Sequence, residues 1–223
     1  NPLFRLDLGQ FGAYVYDADK SQVQVYRPAL SPEFEELALR GPILLHALAH
    51  HGIYVLHASA VQRADGPVFA ISAASGVGKS TLAKWAITQQ WRRIADDLLP
   101  LGHDAQGRLV CLPQLEQPKL STAEQYPQDA PTLPLAGLVQ LTRGTCSSVR
   151  RLSAIETLHF LLSNTVATRV YCKSSLVAHL KFAGDLAEQV QSGRLVAAQL
   201  TIADRPGNPS SAAAEALELL SDL

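Results

Sequence analysis

The sequence predicts a mixed α/β fold in a single domain, residues 1–223, on three observations. Val68-Phe69-Ala70-Ile71 is a short apolar run suited to a buried strand. It leads through the small residues Ala73 to Gly78 into a segment whose apolar positions Leu82, Ala83, Ala86 and Ile87 recur at helical spacing. Tight-turn signals precede this strand and follow the helix, at Ala64-Asp65-Gly66-Pro67 and at His103-Asp104-Ala105-Gln106-Gly107. A parallel pair needs a long crossover and an antiparallel pair only a tight turn, so the central strand should have an antiparallel neighbour directly before it, in a mixed sheet.

The elements follow in order. Residues 3–27 alternate loosely and read as two short strands around Gly12 and an Asp17-Ala18-Asp19 turn, with 1–31 as an N-terminal strand extension. A helix is expected from about Pro32, interrupted at Gly41-Pro42; proline suits a helix's first turn, so a second helix begins there and stops at Gly52. Tyr54 to Val61 alternates as one strand, placing His57 on the face of Val55 and Ser59. Trp91 to Asp97 reads as a strand ending in two carboxylates, and Leu98–Gly102 with Arg108–Leu112 as a hairpin. The proline-rich stretch 113–134 is an irregular excursion before a buried strand at Ala136–Leu141. Ser153-Ala154-Ile155-Glu156 is a capping box opening a helix. A helix over 174–191, a strand over Leu195–Ile202 and an Ala- and Leu-rich helix over 210–221 complete the chain.

The bulk properties exclude several classes. A net charge of −1 gives no broad electrostatic claim on nucleic acid or anionic lipid. No apolar stretch is long enough to span a bilayer and no secretory signal is visible. Cys111, Cys146 and Cys172 are scattered and never form a C-x-x-C pair, which argues against a disulfide framework or zinc ribbon and favours a reducing, cytoplasmic compartment. The chain holds no methionine and begins at Asn1, so its natural start is expected upstream. Nothing in the composition opposes a homo-oligomer.

The chemistry concentrates in two segments. Ala73 to Ser80 matches the phosphate-loop pattern G-x-x-x-x-G-K-[S/T] except for its first letter. In such a loop, Ser75, Gly76, Val77 and Gly78 let successive N–H groups converge on phosphate oxygens, and the following helix adds its positive end. Lys79 reaches the outer phosphates, and the Ser80 hydroxyl is suited to ligate Mg2+. Alanine at 73 would be disfavoured if that position required positive φ. The second segment is Ile94-Ala95-Asp96-Asp97: one of two adjacent acids can hold magnesium while the other takes a proton from an attacking hydroxyl.

Leu56-His57-Ala58-Ser59-Ala60-Val61, the loop Ser75 to Thr81 with Leu82-Ala83, and Ile94-Ala95-Asp96-Asp97 together resemble the HPr kinase/phosphorylase catalytic domain and its smaller relatives, over about residues 53–100. The resemblance implies a mixed, partly curled sheet related to that of ATP-type phosphoenolpyruvate carboxykinases. It implies ATP and Mg2+ as cofactors, Asp96 as general base, Asp97 as organiser of the magnesium site, His57 beside the transferred phosphate, and Thr81 touching a nucleotide phosphate. The Glu-Ile-Arg-Gly-type motif of the full-size enzymes does not follow the aspartate pair, so the smaller relatives fit better. These include lasso-peptide kinases and phosphorylate a serine on a peptide or protein partner. Pro118-Lys119-Leu120 loosely resembles an element of that group, which makes Lys119 a phosphate or substrate contact.

Other residues weigh less. Arg143, Arg150, Arg151 and Arg169 are candidates for phosphate or acidic-substrate recognition, and Arg169, beside Asn164 in a helix-to-loop segment, is the one singled out as a substrate contact. His46 and His50 share a helical face but lack the glutamate of a zinc motif, which favours a structural role. Arg92-Arg93 reads as a strand edge or solvated face. Three functions stay open: a kinase, a nucleotide-dependent ATPase or switch, and a degenerate nucleotide-binding module. A kinase needs a base beside an acceptor groove, whereas a switch needs a water-positioning residue and mobile loops.

Overall fold

The computed structural model describes residues 3–63, 66–117, 119–166, 168–204 and 209–221. Ala64 and Asp65 of the expected turn, and Pro118, lie outside the described residues. Among those described, no helix is long and apolar enough to cross a membrane. The chain divides into two compact units, Asn1–Tyr54 with Val166–Leu180, and Val55–Thr165 with Lys181–Leu223.

The first unit opens with three antiparallel strands, β1 (Leu3–Asp7), β2 (Ala13–Asp17) and β3 (Gln22–Arg27), where two were expected. The extra strand comes from a 3-10 turn at Gly9–Phe11, where positive φ at Gly9 and Gly12 folds what reads as one alternating run back on itself. Helix α1 (Pro32–Ala38) is capped by Ser31, whose side chain accepts from the Phe34 N–H. It runs through a π-helical segment at Leu39–Ile43 containing Gly41 and Pro42, the expected interruption, into α2 (Leu44–His50). Gly52 closes this helix with φ 73°, its N–H bonded to Ala49 O. His46 is 2% exposed and packs edge-on against Phe4 and Tyr16, a structural placement.

The second unit is built on a nine-stranded mixed sheet. The expected strand at 54–61 is two strands, β4 (Tyr54–Leu56) and β5 (Ser59–Arg63). The break has a cause: β4 pairs with the later hairpin, whereas β5 pairs with β6 (Val68–Ala73). Between them the His57 N–H bonds Asn164 O and the Ala58 N–H bonds Leu56 O. Period-two alternation therefore fails at this point. Val55 and Ser59 are buried, and the His57 side chain is 55% exposed.

Strand β6 lies antiparallel to β5, as the short turn predicts. After it come helix α3 (Lys79–Thr88), strand β7 (Trp91–Ala95) antiparallel to β5, and the hairpin β8 (Leu99–His103) and β9 (Leu109–Cys111). Strand β10 (Leu133–Gly144) changes partners along its length. Leu133 and Pro134 pair antiparallel with β9, whereas Leu135–Leu141 run parallel to β6. Gly137 sits at this change, where a Cβ would lie 2.9 Å from the Phe69 ring, so a bare backbone is needed. Beyond β11 (Ser148–Arg151), helix α4 (Ala154–Asn164) carries the expected capping box: Ser153 Oγ accepts from the Glu156 N–H, and Glu156 accepts from the Ser153 N–H. Helix α5 (Lys173–Gln191), strand β12 (Val196–Ala203), parallel to β10, and helix α6 (Pro209–Ser221) follow. Helices α3 and α6 bury one core with the sheet, which joins Leu82, Ala83 and Leu217 to Ile71, Leu141 and Leu200. That packing fixes the start of α3 at the end of β6.

Candidate phosphate-binding site

The loop between β6 and α3 is the base of the site. Val77 N–H bonds Ala74 O at 3.3 Å, closing a turn, and Gly76 and Gly78 take φ 82° and 113°. Ala73 is not among the residues with positive φ, so alanine at the leading position carries no backbone strain. Gly78 is the N-cap of α3, and no side chain caps that helix. Its first turn, Lys79, Ser80 and Thr81, thus presents backbone donors and the positive helix end without an internal partner.

Two aspartates converge on this helix start. Lys79 is 8% exposed, and its Nζ donates to Asp97 Oδ1 at 2.7 Å and stands 4.0 Å from Asp96 Oδ1. Ser80 Oγ donates to Asp96 Oδ1 at 3.1 Å. The strand pair β5–β7 supplies a second donor to the same oxygen, Ser59 Oγ at 2.6 Å, and Arg93 Nη1 approaches Asp96 Oδ2 at 3.5 Å. With Gln117 Oε1 accepting from its backbone N–H, Asp96 is 2% exposed.

Asp97 has a left-handed φ of 85°, unusual for a residue with a side chain. Besides Lys79 it pairs with Lys119, whose Nζ meets Asp97 Oδ2, and His57 Nε2 lies 3.7 Å from Oδ1. Partial burial pushes the Asp97 carboxyl up. The hydrogen bonds and charges of Lys119 and Lys79 outweigh that and hold it at about 2. Lys119 is shifted up by its hydrogen bond to Asp97.

Of the residues singled out in the sequence, the structure brings together His57, Lys79, Ser80, Asp96, Asp97 and Lys119, with Ser75 to Gly78 and Thr81 in the adjoining loop and first helical turn. Arg169 is an exposed residue of the first unit, on a 3-10 turn at Thr168–Val170, and is not part of this group.

The parts played by Arg93 and Gln117 escape the sequence reading. Arg93 is 6% exposed and not a solvated face: it grips Glu124 with Nε at 3.0 Å and Nη2 at 2.9 Å. Gln117 is 2% exposed and ties the irregular stretch to the aspartate strand, donating to Leu98 O and Leu115 O. No local pattern marks either residue. Arg143 donates from Nε to Val77 O at 2.8 Å. It is among the arginines the sequence offers for phosphate recognition, and its place beside the loop comes from the pairing of β10 with β6.

The residues present suit a magnesium-bound polyphosphate. Magnesium is commonly held through one or two carboxylates plus phosphate oxygens, not by an all-protein cage. Asp96 offers one such carboxylate, with the Ser80 hydroxyl beside it, at the mouth of an uncapped helix. No family model matches the chain, and no curated protein matches it. Among solved structures, the Hpr(Ser) kinase/phosphatase from Coxiella burnetii is similar at 11% identity with a TM-score of 0.38, over 75% of this chain and 88% of that one. The chain is a mixed α/β protein whose loop, lysine and paired aspartates meet at one helix N-terminus.

Proposed function

We propose that this chain is an ATP- and Mg2+-dependent phosphotransferase that moves the γ-phosphoryl group to a serine hydroxyl of a peptide or protein. One observation carries the reading: Lys79 and Ser80, at the uncapped start of α3, sit within hydrogen-bonding reach of Asp97 and Asp96 respectively. Phosphoryl transfer needs little covalent chemistry from a protein. Positioning and charge neutralisation dominate.

The geometry supports a division of labour between the two acids opposite to the one the family resemblance implies. Asp96 is buried and fully engaged, and its Oδ1 already holds the Ser80 hydroxyl, so it suits the magnesium side of the site. Bound magnesium would supply neutralisation of charge between the β- and γ-phosphates. Asp97 is the more exposed acid, beside His57, and suits the acceptor side. Lys79 and Lys119 pair with Asp97, and a bound triphosphate would draw both ammonium groups towards itself. Asp97 would then be released to accept the serine proton as the serine oxygen bonds to the γ-phosphorus and the bond to the β,γ-bridging oxygen breaks. His57 would donate to Asp97 and orient it.

Incubation with γ-labelled ATP, magnesium and serine-containing peptides encoded beside the gene, read by mass spectrometry, tests the proposal. A phosphoserine product is expected. ATP hydrolysis without any labelled peptide would favour the switch reading instead.

A further inference from the structure

Arg143 stands two residues beyond Leu141, whose register partner is Ala73, the last residue of β6. Side chains two apart share a strand face, and Leu141 belongs to the same buried cluster as Leu82 and Ala83 of α3. Arg143 is thereby carried past the end of β6 and onto the loop. There its Nε donates to Val77 O at 2.8 Å, and its Nη2 lies 3.0 Å from where a Cβ on Gly78 would stand.

The bonded carbonyl belongs to the Val77–Gly78 peptide. In a planar trans peptide, C=O and N–H point in opposite directions. Anchoring Val77 O therefore fixes the Gly78 N–H on the side away from the guanidinium. This peptide is able to turn over, because Gly78 has φ 113° and no Cβ to restrict it. A flipped peptide would aim a carbonyl dipole at an anion instead of an N–H.

We propose that Arg143 is a positioning residue of the phosphate loop, a latch that holds the Val77–Gly78 peptide with its N–H presented to the polyphosphate. This rests on the reading that the loop binds a nucleotide triphosphate. The same glycine that gives the anion room leaves the peptide able to flip, and the arginine from the neighbouring parallel strand removes that freedom. Gly78 is needed twice, for its backbone conformation and for the approach of the guanidinium.

The test compares the wild type with Arg143→Met, which keeps an aliphatic stem and removes every donor, and with Arg143→Lys, which restores one. Magnesium-ATP affinity is measured by calorimetry, and the Gly78 amide is followed by 15N NMR in the nucleotide-free protein. The latch predicts one sharp Gly78 resonance in the wild type and a broadened or doubled one in Arg143→Met. It also predicts about tenfold weaker ATP binding in Arg143→Met, with partial recovery in Arg143→Lys. A sharp single resonance and unchanged affinity in Arg143→Met would overturn the latch while leaving the nucleotide-site reading intact. Absence of ATP binding in the wild type would overturn both.

Discussion

Asp97 holds a left-handed backbone, φ 85°, that costs a side-chain-bearing residue on the order of 1–3 kcal/mol. Two lysines pair with its carboxylate and offset that strain. Asparagine tolerates this backbone region, so Asp97→Asn isolates chemistry from conformation. We expect transfer to fall by about 100-fold or more with ATP affinity largely kept, measured by single-turnover transfer and calorimetry. Asp96→Asn is expected instead to raise the magnesium concentration required by about tenfold or more. The reverse pattern would return the base to Asp96. The same carboxyl sets an acid dependence. Its folded value of about 2 lies below the ordinary 3.8, so its stabilising contribution is complete above about pH 4 and is lost as pH falls towards 2. Acid unfolding of Asp97→Asn should lack that segment. At this scale the sequence shows which residues carry charge and hydrogen-bonding capacity. The different surroundings of the adjacent acids were not legible, because they depend on Ser59 and Arg93 from other positions and on Lys119.

Secondary-structure elements deliver these side chains. The loop, α3 and the hairpin β8–β9 were legible because apolar runs, glycines and turn residues coincide locally. The break between β4 and β5 was not, since it comes from a change of partner strand, and it exposes His57 where simple alternation placed it on the same face as buried Val55 and Ser59. The irregular stretch before β10 is fastened by Gln117 and by the Arg93–Glu124 pair. Glu124 also closes a capping box with Ser121, accepting its N–H at 3.0 Å. Among the described residues, Glu124→Ala would leave the buried Arg93 guanidinium with Asp96, at 3.5 Å, as its carboxylate partner. A stability loss on the order of 3 kcal/mol in urea unfolding is expected, with magnesium affinity falling as Arg93 draws Asp96 away from Ser80. Wild-type stability in that variant would show the strap to be unimportant to the strand it covers.

At the scale of the whole molecule, a mixed sheet follows from loop length, because the short turn before the loop strand gives it an antiparallel neighbour, β5, on one side. The parallel pairings of β10 with β6 and β12 join residues far apart in sequence, and no local signal specifies them. They nonetheless place Arg143 on the loop and bury Leu141 with α3. The proposed function then depends on one helix N-terminus gripping a polyphosphate beside Asp96 and Asp97. Titration of magnesium-ATP into the wild type and into Lys79→Ala, followed by calorimetry, tests this most directly. The account predicts saturable wild-type binding and at least about tenfold weaker binding in Lys79→Ala. No wild-type binding, or equal affinity in the two proteins, would contradict it.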